Sequence, residues 1–442
     1  MRLIFALLLC LTPLLAQNWP GFRGTGARGI ADNANLPSKW NVETGANIAW
    51  KTAIPGLGLS SPVVWGDLIF LTTAISSNPQ MVFESKLKGE RDDRQDTAEQ
   101  EFRVIAVNKR TGGIVWNQLA VKTKPRVLRH PHNSYASPTT VTDGKHLIAF
   151  FGSEGLYCYD LKGTLLWKTD LGPLDQGAFD VPDYQWGSAS SPALWNGKVF
   201  LQVDLHKGSF LAAFDAQTGK ELWRTPRDSK PSWSTPTIVE SASRTELVTN
   251  GVEQVQGYDA GTGKELWRLK GTSMISVPTP FTANGLIYVF SGYFRNLRRA
   301  YAIRPGAKGD ITGSKESIAW MREEAPYLST PVVSGEFVYA FGSRGSGILN
   351  VYNALTGATV YQHRLGEGTG ASASVIASGD RVYAVNEDGD VYVIRAGATY
   401  EEIAVNKMNE PVLATPAASG DTLFIRGASH LFAIRNGKPL QR

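Results

Sequence analysis

Cysteine is nearly absent from this sequence. Cys10 and Cys158 are the two in 442 residues. Cys10 lies in an N-terminal stretch expected to be removed, which leaves Cys158 without a partner for an internal disulfide. Histidine is scarce as well, with six residues; His130-Pro-His132 is the one close pair, it has no cysteine neighbour, and it reads as surface or hydrogen-bonded histidines, so no metal is expected. No Gly-x-Ser-x-Gly elbow occurs, which removes the commonest serine-hydrolase signal. No Trp-Asp dipeptide occurs, which argues against a WD40 array. Beyond the first residues no apolar run is long enough for a membrane helix. A dominant charge is missing too: 45 basic against 40 acidic side chains give a net of +5, too balanced for a nucleic-acid partner.

What the chain does have is repetition. Asp215-Ala-Gln-Thr-Gly-Lys-Glu-Leu-Trp223-Arg returns as Asp259-Ala-Gly-Thr-Gly-Lys-Glu-Leu-Trp267-Arg. Ser191-Pro192, Thr235-Pro236 and Thr279-Pro280 recur at the same period. A unit this short cannot bury its own apolar faces and must stack on copies of itself. Further starts are Ser61-Pro62, Ser137-Pro138, Thr330-Pro331 and Thr415-Pro416. Ala371-Ser-Ala-Ser-Val375 falls at the expected distance without its proline, which makes eight units. Proline suits the first residue of a strand, where no ladder donor is needed.

Each start is followed by two apolar runs around a Gly-containing turn, as in Val332 to Ala340, then by a third strand such as Phe210 to Phe214. An Asp/Asn-x-x-Thr-Gly turn leads into a fourth strand that carries an aromatic residue. The last unit ends after Ile434-Arg435 with three strands, while Trp50 in Ile48-Ala-Trp-Lys51 precedes the first start. The N-terminal strand is therefore expected to complete the last unit, sealing an exposed edge. The fold expected is all-β: an eight-bladed β-propeller of four-stranded antiparallel blades over residues 48–436, closed by that strand. Residues 17–47 form a leader segment packing on it, and 437–442 a tail.

Residues 1–16 read as a signal peptide: Arg2, the apolar Leu3 to Leu11, and Leu14-Leu15-Ala16 before a cut ahead of Gln17. Its removal leaves a net charge of +4 and places the protein in the periplasm or outside the cell. Leu8-Leu9 before Cys10 is a poor lipid-attachment context, so an outer-membrane lipoprotein is not expected.

The Asp-Ala-x-Thr-Gly-Lys-Glu-Leu-Trp unit resembles the tryptophan-docking motif of quinoprotein-type propellers, a group that includes the pyrroloquinoline-quinone alcohol dehydrogenases and the assembly factor BamB. With Asn18-Trp-Pro-Gly-Phe-Arg-Gly24 and Trp186-Gly-Ser-Ala-Ser-Ser-Pro192, the chain looks like the exported "PQQ-binding-like" propellers of environmental bacteria. The resemblance implies that Trp50, Trp116, Trp167, Trp223, Trp267 and Trp320 pack structurally between blades.

Antiparallel order puts the loops between second and third strands on the same face as the links between blades. The longer segments gather there, and long loops on a rigid ring usually carry binding. From the link after the first unit come Arg126, Arg129, His130, His132 and Asn133. The next link brings Tyr184 and Trp186, and later loops bring Tyr293, Arg295, Arg298, Arg299 and Arg344. Arginine forks and aromatic rings suit an anionic glycan or acidic peptide. A quinone-dependent dehydrogenase of the resembled kind would use the quinone with calcium, and typically an adjacent-cysteine disulfide that this chain lacks. The expectation is a monomeric binding or scaffold protein of the cell envelope, without cofactor or catalytic residues, whose partner is an envelope protein or an anionic ligand; the alternative is a quinoprotein oxidoreductase acting on alcohols or sugars.

Overall fold

A blade with apolar residues on both faces of its middle strands has no core of its own. In the computed structural model the second and third strands read as continuous buried runs, for example Lys198–Val203 and Phe210–Asp215, while the fourth, Glu221–Pro226, alternates towards solvent. Neighbouring blades supply the cover. The structure describes residues 18–32, 34–79, 97–178, 181–293, 297–342, 347–367 and 370–437. The expected signal peptide 1–16, Arg295, Arg344 and residues 438–442 of the expected tail lie outside them.

Eight sheets follow one another around a ring. Blade 1 comprises Val63–Trp65, Leu68–Ser76, Gln100–Asn108 and Ile114–Thr123. The inner strands of blades 2 to 7 begin at Val141, Ala193, Thr237, Phe281, Val332 and Ile376. Blade 8 has Ala417–Ser419, Thr422–Arg426 and His430–Ile434 from the C-terminal end, and Ile48–Ala53 from the N-terminal end as its outermost strand. Trp50 is opposite Ala433 and Thr52 opposite Leu431 in antiparallel register. One departure from the expected four strands occurs: the excursion after Ile303 adds Gly309–Asp310 in parallel to the edge of blade 4, which becomes five-stranded.

The inner wall is stitched by hydroxyls. The Ser61 amide donates to Thr139 Oγ1, Thr139 to Ser191 Oγ and Ser191 to Thr235 Oγ1, at 2.9, 2.9 and 3.0 Å. The series continues through Thr279, Thr330, Ser374 and Thr415, at 3.3, 2.9, 3.2 and 2.9 Å. Each blade thus hands one backbone donor to the next, which explains the recurring Ser or Thr. In blade 2 the ring position belongs to Thr139, not to Ser137 as the Ser-Pro pattern suggested. In every blade the ring hydroxyl stands two residues before the inner strand, and Thr140 in blade 2, like Val375 in blade 7, occupies the place proline takes in the other six.

The closing junction uses other devices. Arg426 of blade 8 donates to the carbonyl and hydroxyl of Ser60 and to the carbonyl of Thr72 in blade 1. Burial without a carboxylate partner pulls its guanidinium down to about 9. The Trp50 indole donates to the Lys109 carbonyl at 3.0 Å and lies against Gly112 of blade 1. Gly112 has φ of +75°, and a Cβ there would meet the Trp50 ring at 2.7 Å. The same pairing joins Trp116 to Gly163, Trp167 to Gly219, Trp223 to Gly263 and Trp320 to Gly357. The glycine ending each turn is therefore the seat for the preceding blade's tryptophan as well as a left-handed residue. Trp267 differs: blade 5 has no such turn, and its indole donates to Glu246 of its own blade at 2.7 Å.

The leader closes one end of the central channel. Trp19 pairs with Val64 of blade 1, and Pro20 accepts from Thr142 of blade 2. Across the ring, Gly29 and Ala31 bond Ala377 of blade 7. Between them Arg23 is fully buried and donates to the carbonyls of Thr330, Pro331 and Val375. Phe22 lines the channel from below.

Substituting Trp50 by Ala is expected to cost about 3–5 kcal/mol in denaturant unfolding, as for other buried tryptophans. Gly112→Ala should cost more than Gly66→Ala. Both glycines have positive φ, but a Cβ at Gly66 meets nothing within 4 Å. Equal losses would show that the tryptophan seat contributes nothing.

Candidate functional site

Above the leader, on the face of the inter-blade links, the channel is lined by residues from all eight blades. Its mouth holds a cavity of about 170 Å³. Two layers build the wall. The lower layer is the ring of eight hydroxyls. The upper layer is the residue two positions earlier in each blade, on the same side of an extended segment. That layer runs Leu59, Ser137, Ala189 and Trp233, then Val277, Leu328, Ser372 and Leu413. Ser137 thus belongs to the mouth, one layer above Thr139.

The lower hydroxyls have a directional property. The oxygens of seven of them, all but Ser61, accept from a neighbouring amide, and among the described residues none of the eight donates a hydrogen bond. All eight are buried, between 1 and 6% exposed. Their protons are left for whatever fills the channel.

Aromatic rings form one side of the mouth. Trp186 and Trp233 meet with centroids 5.2 Å apart. Trp233 is 6% exposed and its indole donates to the Gly187 carbonyl, tying two links together. Beneath it, Ser232 donates to Asp204, which also holds Arg227 at 2.7 Å in a pair wholly removed from solvent. Such a network fixes the link that presents Trp233, since removing one partner of a buried pair typically costs ~3–5 kcal/mol. Tyr327 lines the cavity and Tyr293 packs behind it, centroids 5.4 Å apart.

The opposite side, at blade 7, is polar. Ser372 donates to Glu387 at 2.6 Å. His132 Nε2 lies 3.4 Å from both the Ser372 hydroxyl and the Glu387 carboxylate, reaching over from the link between blades 1 and 2. Glu387 is 5% exposed. One imidazole nitrogen faces both oxygens, so the trio is not the relay in which histidine bridges a serine and an acid through its two nitrogens.

The residues anticipated from the sequence divide into two groups. His130, His132, Asn133 and Trp186 line the cavity, and Tyr184 packs edge-on against His130 and Trp186. Asn133 donates to the Trp186 carbonyl at 2.6 Å, so it sets that ring's position. The arginines are elsewhere. Arg129 is buried and donates to the carbonyls of His130 and Asn133. Arg126 pairs with Asp170 at 2.6 Å, and that hydrogen bond draws the Asp170 carboxyl down to about 2. Arg299 donates to the Gly271 carbonyl, and Arg298 is exposed outside the cavity. Trp233, Ser372 and Glu387 were not anticipated. The signal for the first two was available: they occupy the period-two position before a start residue. Glu387 lies in a second-to-third-strand turn, which antiparallel order assigns to this face.

Among the described residues no three His, Cys, Asp or Glu side chains converge as a metal centre requires. Cys158 is buried in blade 2, and burial pushes its thiol up to about 12, far from any reactive range.

The architecture and this one-ended mouth define the class as a quinoprotein-like β-propeller. The family model for the outer membrane protein assembly factor BamB matches residues 30–201 and 206–438, and the chain belongs to that family. Among solved structures it is similar to BamB from Moraxella catarrhalis, at 12% identity and TM-score 0.56, covering 82% of this chain and 99% of that one. It is similar also to a europium-containing methanol dehydrogenase, at 10% identity and TM-score 0.64, covering 94% and 90%. A third is the quinohemoprotein alcohol dehydrogenase from Comamonas testosteroni, at 11% and 0.62, covering 96% and 82%. At such identities these likenesses speak for the fold alone. No curated protein matches the chain. Among the described residues no helix is long and apolar enough to cross a membrane.

Glu154 anchors the link that carries the two histidines, accepting from the Arg126 amide at 2.8 Å. Burial pushes its carboxyl above the usual range, against the pull of that amide. A raised carboxyl value favours the protonated native state, so its stabilising contribution is present at low pH and is lost as pH rises through the folded value. Glu154→Gln should therefore gain stability relative to the parent as pH rises above the ordinary carboxyl range in urea unfolding. A difference independent of pH would contradict this origin.

Proposed function

We propose that this chain is an exported binding protein of the cell envelope that captures its ligand or partner in the mouth of the blind channel. The observation that carries the reading is the convergence of Trp186, Trp233 and Tyr327 on one small cavity closed from below by the leader. Aromatic anchors in a desolvated recess are the usual seat of binding energy. Membership in a family described by outer-membrane assembly favours the envelope, and the apolar run at the N-terminal end favours export. Of the four described arginines anticipated on this face, Arg126, Arg129 and Arg299 are engaged in supporting the links, so the ring-lined mouth, more than a basic patch, is the proposed contact.

The quinone-dependent alternative has two dehydrogenases among its structural neighbours. The residues present do not fit a quinone held with calcium. The sequence has no adjacent cysteines, and among the described residues no group of three His, Cys, Asp or Glu side chains forms around Glu387.

Immobilised protein exposed to envelope extract should retain a defined set of molecules, read by mass spectrometry. Trp233→Ala should lose what the parent retains, and Arg298→Ala should keep it. Equal retention by Trp233→Ala would remove the mouth from the account. Saturable dye reduction with alcohols after adding pyrroloquinoline quinone and calcium would replace binding by catalysis.

A further inference from the structure

We infer that the mouth recognises the terminal ring of a neutral saccharide. This rests on the binding reading above and names the chemistry of its ligand. Three features converge on one small space. Trp186 and Trp233 present an apolar, aromatic wall from blades 3 and 4. Blade 7 stands opposite in an eight-bladed ring and presents the Ser372 hydroxyl with His132. Below both lies the crown of buried hydroxyls whose protons have no acceptor among the described residues.

Each feature selects against other ligands. Ser372 spends its proton on Glu387, so its oxygen is an acceptor towards the channel, whereas seven of the eight crown hydroxyls spend an oxygen lone pair on an amide and remain donors. A ligand serving both must carry donors and acceptors around a small ring, with an apolar face for the tryptophans. A pyranose has that distribution; a hydrocarbon satisfies neither polar layer, and a fully deprotonated anion such as sulfate has no donor for Ser372. The Glu387 carboxyl group, 5% exposed behind Ser372, offers an anionic group there acceptor oxygens where it would need a donor. With Arg129 and Arg299 turned to backbone carbonyls, no described arginine lines the cavity.

Size and closure set the mode. The cavity of about 170 Å³ is small beside the ~300–1,000 Å³ of ordinary ligand pockets. The leader seals the far end through Arg23 and Phe22, so no chain can thread through. Only the end residue of a glycan enters, and the rest lies outside.

The test uses the full mature chain on an array of neutral glycans tethered through their reducing ends. Retention of one terminal sugar type is expected, displaced by excess methyl glycoside of that sugar. Ser372→Ala and Trp186→Ala should each weaken retention about tenfold or more, measured under conditions where unfolding curves show both variants fully folded. Arg298→Ala should leave retention as in the parent. No neutral glycan retained, or retention that a methyl glycoside does not displace, overturns the inference. If that occurs while Trp233→Ala still loses an envelope component in the extract experiment, the binding reading stands and its ligand is of another class. If both experiments fail, both readings fall.

Discussion

The structure depends on one constraint: every blade must lend its neighbour what the neighbour cannot supply for itself. A four-stranded sheet with two apolar faces is insoluble alone, and the ring hydroxyls show the exchange in its smallest form, one amide given to the next blade's Ser or Thr around seven junctions. The tryptophan seats repeat the exchange on the outer wall, a ring from one blade on a glycine of the next. A chain of mutual loans is stable only when it closes. The eighth junction falls between the two ends of the chain and carries the N-terminal strand, the Trp50 seat and the buried Arg426 staple together. An open ring would leave an unpaired sheet edge and two bare blade faces.

Closure also creates the site. Because the ring is completed by a strand from the N-terminal side, the residues before it are delivered to the channel's lower end, where Trp19, Phe22 and Arg23 lay the floor. The other end stays open, and the links that enter each inner strand converge there. The layer carrying Trp233 and Ser372 and the layer carrying the free hydroxyl protons are two turns of the same extended alternation, so architecture and recognition chemistry share residues.

Much of this was legible beforehand because it repeats. The unit length, the Ser/Thr-Pro starts and the orphan Trp50 strand are covalent facts, and the eight-bladed ring with its N-terminal closing strand followed from them. The Ser137-Pro138 start misled by two residues, since local chemistry resembled a start while the register of Val141–Thr142 set Thr139 in the ring. Trp267 carried the docking motif but lacked a Thr-Gly seat in blade 5, a mismatch visible only when motif and seat are read from adjacent units. The candidate site was half legible. His130, His132, Asn133 and Trp186 were found because they lie on a long link, whereas the arginines beside them proved to be supports. Residue type does not say which way a guanidinium turns, and a carbonyl within reach binds it as readily as a ligand does.

The most direct measurement is native-state hydrogen exchange across the closing seam. The account predicts that the amides of Ile48–Ala53 and of His430–Ile434 lose protection together, at the free energy of global unfolding, because the strand that seals the ring cannot leave without opening it. Exchange of the Ile48–Ala53 amides at far lower free energy, with the eight blades still protected, would show that the ring stands without its seal and would contradict the account.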